Sequence, residues 1–204
     1  MKRTTIIAVA LAAACGLVLA AGCAPKKQVQ RIPEDSVTDL SGYWNDTDSR
    51  LVAEEMTGDC LSSAWKSNHV AKTGIKPVVI VGVVRNKTDE HIAVETFIGD
   101  IERAMINAGD VTVVASAEER EGLRDEREDQ QKYSSDETMK QWGREAGADY
   151  MLGGIISSIA DEVEGEKVVF YQVDLTLYDL ETNAKVWTGQ KKIKKYIGRS
   201  KMSM

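Results

Sequence analysis

The sequence predicts a single α/β domain: a mixed β-sheet whose C-terminal strands are antiparallel, flanked by about four helices. Three observations carry this. "VVIVGVV", residues 78–84, is a continuous β-branched run, the pattern of a strand buried on both faces. Apolar residues recur at helical spacing on either side of it. From Asp149 onward the period changes to two, with turn residues between the runs. Strands that first alternate with helices and then follow one another give a mixed sheet with helices on one face.

The elements follow in order. Met1-Lys2-Arg3 is basic, and Ile6 to Ala21 then carries no polar or charged side chain except Cys15. A basic start followed by an apolar run is the layout of a secretory signal, and the run is shorter than the roughly 20 residues a membrane-spanning helix needs. It closes on Leu19-Ala20-Ala21-Gly22-Cys23. Small residues before a cysteine resemble a bacterial lipobox. That resemblance implies cleavage after Gly22 and a lipidated Cys23 bearing fatty acyl chains such as palmitate. Cys15 is a weaker candidate, because the apolar run before it is short. Burial of about 0.8 kcal/mol per CH₂ makes more than one chain necessary for stable anchoring. Ala24, rather than an aspartate, implies an outer-membrane destination.

Residues 1–22 are thus read as the signal peptide and 23–38 as the lipidated N-terminus and tether. "APKKQVQRIPEDSVT" is polar and holds two of the three prolines. Its reach is at most roughly 50 Å when fully extended. The domain proper is read as 39–197, followed by a basic tail at 198–204. The Asn45-Asp46-Thr47-Asp48-Ser49 cluster supplies N-caps for a helix in which Val52, Met56, Cys60 and Ala64 make one stripe. After strand 78–84, Asn86 to Glu90 is expected to cap the next helix. Val94, Phe97, Ile98, Ile101, Met105 and Ala108 form its buried face, and Gly109 ends it. "VTVV", 111–114, is a short buried strand. Helices are expected at about 117–130 and 135–147. Then come a strand in "DYMLGGIISSI", an alternating strand in "VVFYQVDLTLYDL", a turn at 181–184 and a return strand in "KVWTGQKKIKKYI". In the alternating strand Val169, Tyr171, Val173, Leu175 and Leu177 share one face.

Composition narrows the function. The formal net charge is −6. Loss of residues 1–22 would leave 24 basic against 32 acidic side chains, a charge of −8. No clustered basic surface of the kind that nucleic acid requires is implied. Only Cys60 remains beside Cys23, so no disulfide framework is available, and Cys60 reads as a small buried hydrophobe. The two histidines, His69 and His91, stand at apparent loop or helix starts without ligand spacing, so no metal site is expected. "LGGIISS" lacks the spacing of a dinucleotide fingerprint, and paired glycines in a strand mark a close contact or a bulge. No nucleophile motif or P-loop is present. No catalytic, cofactor-binding or metal-binding residue is assigned. After Glu181 no acid occurs, while Lys185, Lys191, Lys192, Lys194, Lys195, Arg199 and Lys201 accumulate. They serve either edge-strand protection or an acidic partner or anionic lipid.

Four blocks carry a family resemblance: "SGYWNDTDSRLVAEEM", "VRNKTDEHI", "EREDQQKYSSDETMKQWGREAGADYMLGGI" and "YQVDLTLYDLETNAKVWTGQ". Together, in this order, they resemble the LpoB family. The resemblance implies a fold similar to the N-terminal domain of TolB. It also implies an outer-membrane lipoprotein whose domain faces the periplasm and which is not an enzyme. The implied partner is the small accessory domain of a bifunctional penicillin-binding protein, whose peptidoglycan synthesis the lipoprotein stimulates. The expected molecule is monomeric and reaches the membrane only through its anchor. Aromatics and arginines dominate binding hot spots, which makes Arg124, Arg127 and Tyr133 the interface candidates, whereas Trp187 reads as packing. The rival readings are a CsgG-like envelope-assembly or secretion-channel lipoprotein of the same fold, and an enzyme or small-ligand binder.

Overall fold

One face of the fourth strand organises the domain. In β4 (Glu166–Asp179) the residues Val169, Tyr171, Val173, Leu175 and Leu177 are at most 1% exposed, while Gln172, Asp174 and Thr176 between them are half-buried. The computed structural model describes residues 29–133 and 147–198, with side chains described only to residue 129 in the first stretch. Its remaining elements are α1 (Asp46–Ser62), α2 (Ala64–Thr73), β1 (Val78–Lys87), α3 (Val94–Ala108), β2 (Thr112–Val113), α4 (Ala117–Tyr133), β3 (Tyr150–Val163) and β5 (Lys185–Ile197). The expected helix at 135–147 and the tail from 199 lie outside the described residues, as do Gly22 and Cys23. Residues from Val37 form one unit. In the preceding stretch, the Ser36 N–H donates to the Pro33 carbonyl at 3.1 Å.

The sheet runs β2-β1-β3-β4-β5. β1 is parallel to both β2 and β3, and the last three strands are antiparallel neighbours. This is the expected mixed α/β architecture. α1 packs on α3 and β5, and α3 packs on β1 and β2. Between the helices and the sheet lie Val52, Met56, Phe97, Ile101, Met105, Val79, Leu152 and Ile156, among others. Burying a Leu, Ile, Phe or Met side chain contributes about 1.5–3 kcal/mol, and this layer holds most of the fully buried ones.

Several local expectations need correction. The first helix stops at Ser63, whose extended backbone (φ −76°, ψ 160°) starts a second helix. Ala64 is therefore exposed rather than on the stripe. β1 is not buried on both faces. Val79, Val81 and Val84 face the helices, but Val83 is 71% exposed and Val78 and Ile80 are half-buried. The second face of the sheet is open at Met151, Ile155 and Ile159 beside it. Asn86–Glu90 does not cap α3, whose N-cap position is Ala93 without a side-chain hydrogen bond. Ala108, the last residue of α3 before its Gly109 cap, is exposed rather than on the buried face. "VTVV" contributes only the two residues of β2, one exposed and one half-buried. Gly74 and Gly109 end α2 and α3 in left-handed conformations (φ 74° and 70°), which glycine adopts without steric cost.

The paired glycines of β3 have distinct roles. A Cβ on Gly154 would lie 2.5 Å from the Asp174 carbonyl oxygen and closer still to Leu175 Cδ2. A Cβ on Gly153 would meet only the Val83 carbonyl oxygen, at 3.4 Å. Gly154→Ala is therefore expected to destabilise the domain by about 1–3 kcal/mol through overpacking, and Gly153→Ala by less than about 1 kcal/mol. Urea unfolding midpoints of the two variants check this.

Candidate interaction surface

Strand alternation sorts the basic run of β5 into two groups. Lys191 pairs in register with Val173 and Lys195 with Val169, so both point to the helical side. Lys192 and Lys194, opposite Gln172 and Phe170, are exposed on the open face. Lys191 forms an ion pair with Glu55 of α1. Lys195, 10% exposed, reaches Asp48 at 2.6 Å and Asp39 at 2.7 Å, and donates to the Tyr43 carbonyl at 3.1 Å. Part of the run thus ties α1 to the sheet, a role distinct from both edge protection and a patch. Lys192 and Lys194 remain the surface cations of the strand.

The α1 end of this tie is built locally. The Asn45 side chain accepts from the Asp48 N–H at 3.1 Å, and Asp48 Oδ2 accepts from the Asn45 N–H at 3.0 Å. This reciprocal cap satisfies two orphan donors of the helix. Asp46 and Asp48 in the first turn also complement the helix dipole. Burial alone would lower the Lys195 ammonium, but hydrogen bonds to Asp39 and Asp48 outweigh it and raise its pKa. The bonds from Lys195 and then Asn45 hold the Asp39 carboxyl below the usual carboxylate range.

Next to this cap, Glu90 is the hub that spacing did not reveal. Its Oε1 accepts from the Tyr171 hydroxyl at 2.5 Å and its Oε2 from the Trp44 N–H at 3.1 Å. The Trp44 indole donates to Ser49 Oγ at 2.7 Å and packs edge-on to Phe97 and Tyr171. Burial, then Glu90, pushes the Tyr171 phenol well above its ordinary value, so it stays a donor to that carboxylate. The polar loop after β1 thus anchors the segment before α1.

The interface candidates lie elsewhere. Arg124 and Arg127 are exposed on α4, and Tyr133 is its last residue, with a side chain outside the described part. Trp187 is 8% exposed, and its indole donates to Asp59 at 3.0 Å, which makes it packing. Cys60 is 1% exposed, and burial pushes its thiol up to about 12, far from the reactive range. His91 is exposed in the loop before α3. His69 is inside α2 rather than at a helix start, and its Nδ1 lies 3.0 Å from the Tyr150 hydroxyl. Among the described residues no cluster of three His, Cys, Asp or Glu side chains suits a metal ion, and no helix is long and apolar enough to cross a membrane.

Removing one member of a buried charge pair strands the other. Lys195→Ala should therefore cost about 3 kcal/mol or more, whereas Lys192→Ala should stay within about 0.5 kcal/mol; urea unfolding separates them. The depressed Asp39 pKa supplies stability above the ordinary carboxylate value, which is lost as pH falls through the lower folded value. Asp39→Asn should accordingly flatten the fall of stability below about pH 4, as followed by circular dichroism against pH.

A family model described as the peptidoglycan-synthase activator LpoB matches residues 48–193, from the first turn of α1 into β5. No curated protein matches the chain. Among solved structures, the C-terminal domain of LpoB from Escherichia coli is 18% identical, with 74% of this chain and 99% of that chain covered and a TM-score of 0.42. The corresponding domain from Salmonella enterica is 17% identical, with 72% and 98% covered and a TM-score of 0.40. The PelC dodecamer from Paraburkholderia phytofirmans is 22% identical, with 59% and 72% covered and a TM-score of 0.33. At these scores the structural likenesses carry no weight of their own. The family match does, because it covers well over half of the chain, from the first turn of α1 through β4 and into β5: the chain belongs to the LpoB family of peptidoglycan-synthase activators.

Proposed function

We propose that this chain is a lipid-anchored outer-membrane lipoprotein that binds a bifunctional penicillin-binding protein through its accessory domain and raises its synthetic rate, without catalysing a reaction itself. The observation that carries this reading is the family match over residues 48–193. The lipobox-like Leu19–Cys23 stretch supports the anchor, with cleavage after Gly22 and acylation of Cys23. The domain plan is signal peptide 1–22, tether 23–38, globular domain 39–197 and basic tail 198–204, with a monomeric domain facing the periplasm.

An activator of this kind works by difference. It must bind the active conformation of the synthase more tightly than the inactive one, since equal affinity for both shifts nothing. A tenfold shift in the active fraction needs about 1.4 kcal/mol of differential binding, which a few well-placed contacts supply. Arg124, Arg127 and Tyr133 on α4 are the proposed contacts, and the outward Lys192 and Lys194 offer a second, electrostatic surface.

The test adds the chain to the host's bifunctional penicillin-binding protein with lipid-linked precursor and follows glycan polymerisation. A several-fold rise is expected; no rise together with no binding rejects the reading. Alanine at Arg124, Arg127 and Tyr133 together should weaken binding at least tenfold if α4 is the contact, which is the effect of losing about 1.4 kcal/mol. In cells, Cys23→Ser should release the protein from the membrane fraction and abolish the acyl mass increment, and retention at unchanged mass would reject the anchor.

A further inference from the structure

A cavity of about 860 Å³ opens where α2 meets the start of β3 and the end of β4, lined among others by Trp65, His69, Lys72, Asp149, Asp179 and Glu181. His69 is 8% exposed, yet its Nε2 has no hydrogen-bond partner. A buried polar atom left unpaired costs about 1–3 kcal/mol, so a partner from outside the chain is the economical solution. Nε2 lies 3.7 Å from Asp149 Oδ2, too far for a direct bond. The other ring nitrogen is already engaged by Tyr150, and the ring is held edge-on to Tyr150, which itself packs edge-on to Trp65. The imidazole is therefore fixed in place with one buried nitrogen unpaired at the wall of the cavity.

The charges that line the cavity have one dominant sign. Three carboxylates, Asp149, Asp179 and Glu181, face a single ammonium, Lys72. Asp149 Oδ2 is fixed by the Val78 N–H at 2.8 Å, and Asp179 Oδ1 by the N–H groups of Thr182 and Glu181 at 2.8 and 3.0 Å. These are positioned acceptors rather than mobile surface acids. Burial first, then the charges of Asp179 and Asp149, push the Tyr150 phenol above its ordinary value, so both carboxylates bear on the hydroxyl that holds His69. Of the two tautomers of His69, the one with its proton on Nδ1 presents a lone pair at Nε2. A cationic donor would select that tautomer.

We propose that this cavity binds a positively charged nitrogen group, a primary ammonium or a guanidinium, with Asp149 and Asp179 supplying the charge and His69 Nε2 accepting a hydrogen bond from it. The aromatic pair Trp65–Tyr150 forms the apolar wall against which the carbon stem of such a group lies. The site does not rest on the proposed activator role.

The experiment titrates the full chain with n-butylammonium chloride and, as the anionic control, sodium butyrate, reading the His69 ring resonances by NMR. A saturable His69 shift with the ammonium and none with butyrate is expected. Asp179→Asn should weaken binding about fivefold and Lys72→Gln should tighten it by a similar factor, each the effect of one unit charge a few ångströms away in a wet cavity. A blocked Gly-Lys-Gly peptide that binds more tightly than butylammonium identifies the source as a basic side chain of a protein, and equal affinity identifies a free amine. No saturable shift, a response to butyrate, or opposite signs in the two variants overturns the proposal, leaving water as the partner of Nε2. Glu181→Gln, on an exposed residue of the turn, repeats the charge test should Asp179→Asn disturb the fold.

Discussion

The parity of β4 is the constraint on which the rest of the domain depends. With β3 and β5 hydrogen-bonded on its two sides, every odd residue from Val169 to Leu177 is driven toward the helices. A one-residue slip would bring Gln172, Asp174 and Thr176 into that core and is strongly disfavoured. The same register places Gly154 opposite Leu175 and Gly189 opposite the same residue on the other side, where larger side chains would collide. It also decides which lysines of β5 become structural. Lys191 and Lys195 are on the helical side because they face Val173 and Val169, and they are tolerated there because Glu55, Asp48 and Asp39 meet them.

Buried charge in this domain fixes elements to one another. Lys195 joins β5 to the cap of α1, and Glu90 joins the loop after β1 to Trp44 and Tyr171. Both ties converge on the stretch from Asp39 to Ser49, where the chain enters the fold. These paired, hydrogen-bonded charges hold that stretch at a defined geometry against the sheet and the helices.

Much of the fold was legible in the sequence because side-chain direction is a local property. The alternation of "VVFYQVDLTLYDL", the stripe Phe97–Ile101–Met105 and the run of β5 each announce their element. Partner identity is not local. Glu90 and Tyr171 are 81 residues apart, as are His69 and Tyr150, and nothing in the spacing of either pair joins them. The break at Ser63 was hidden because Ala64 continues the four-residue count of the preceding helix. The β-branched run of β1 suggested burial on both faces, since apolar content alone does not say whether a second layer exists. Trp187 and Cys60, read as packing, are packing. Arg124 and Arg127 of α4 were chosen only as residue types suited to a contact.

β3 and β4 pair without interruption to Val163 and Glu166, around a turn with Glu164 and Gly165 at positive φ. The apolar layer ends sooner: on the helical side Ala160 and Glu162 are exposed, and on the open side Ile159 is 70% and Val163 66% exposed. The tip of this hairpin therefore has a complete hydrogen-bond ladder but little burial. Backbone pairing therefore contributes more to holding the tip than apolar burial does, which places it toward the low end of the range of local stabilities that a folded domain spans. The hairpin thus has two cooperative tiers. The inner rungs are bound to the core, while on the outer rungs the β3 strand beyond Ala160 is held only by its ladder to β4, which β5 in turn pairs from the other side.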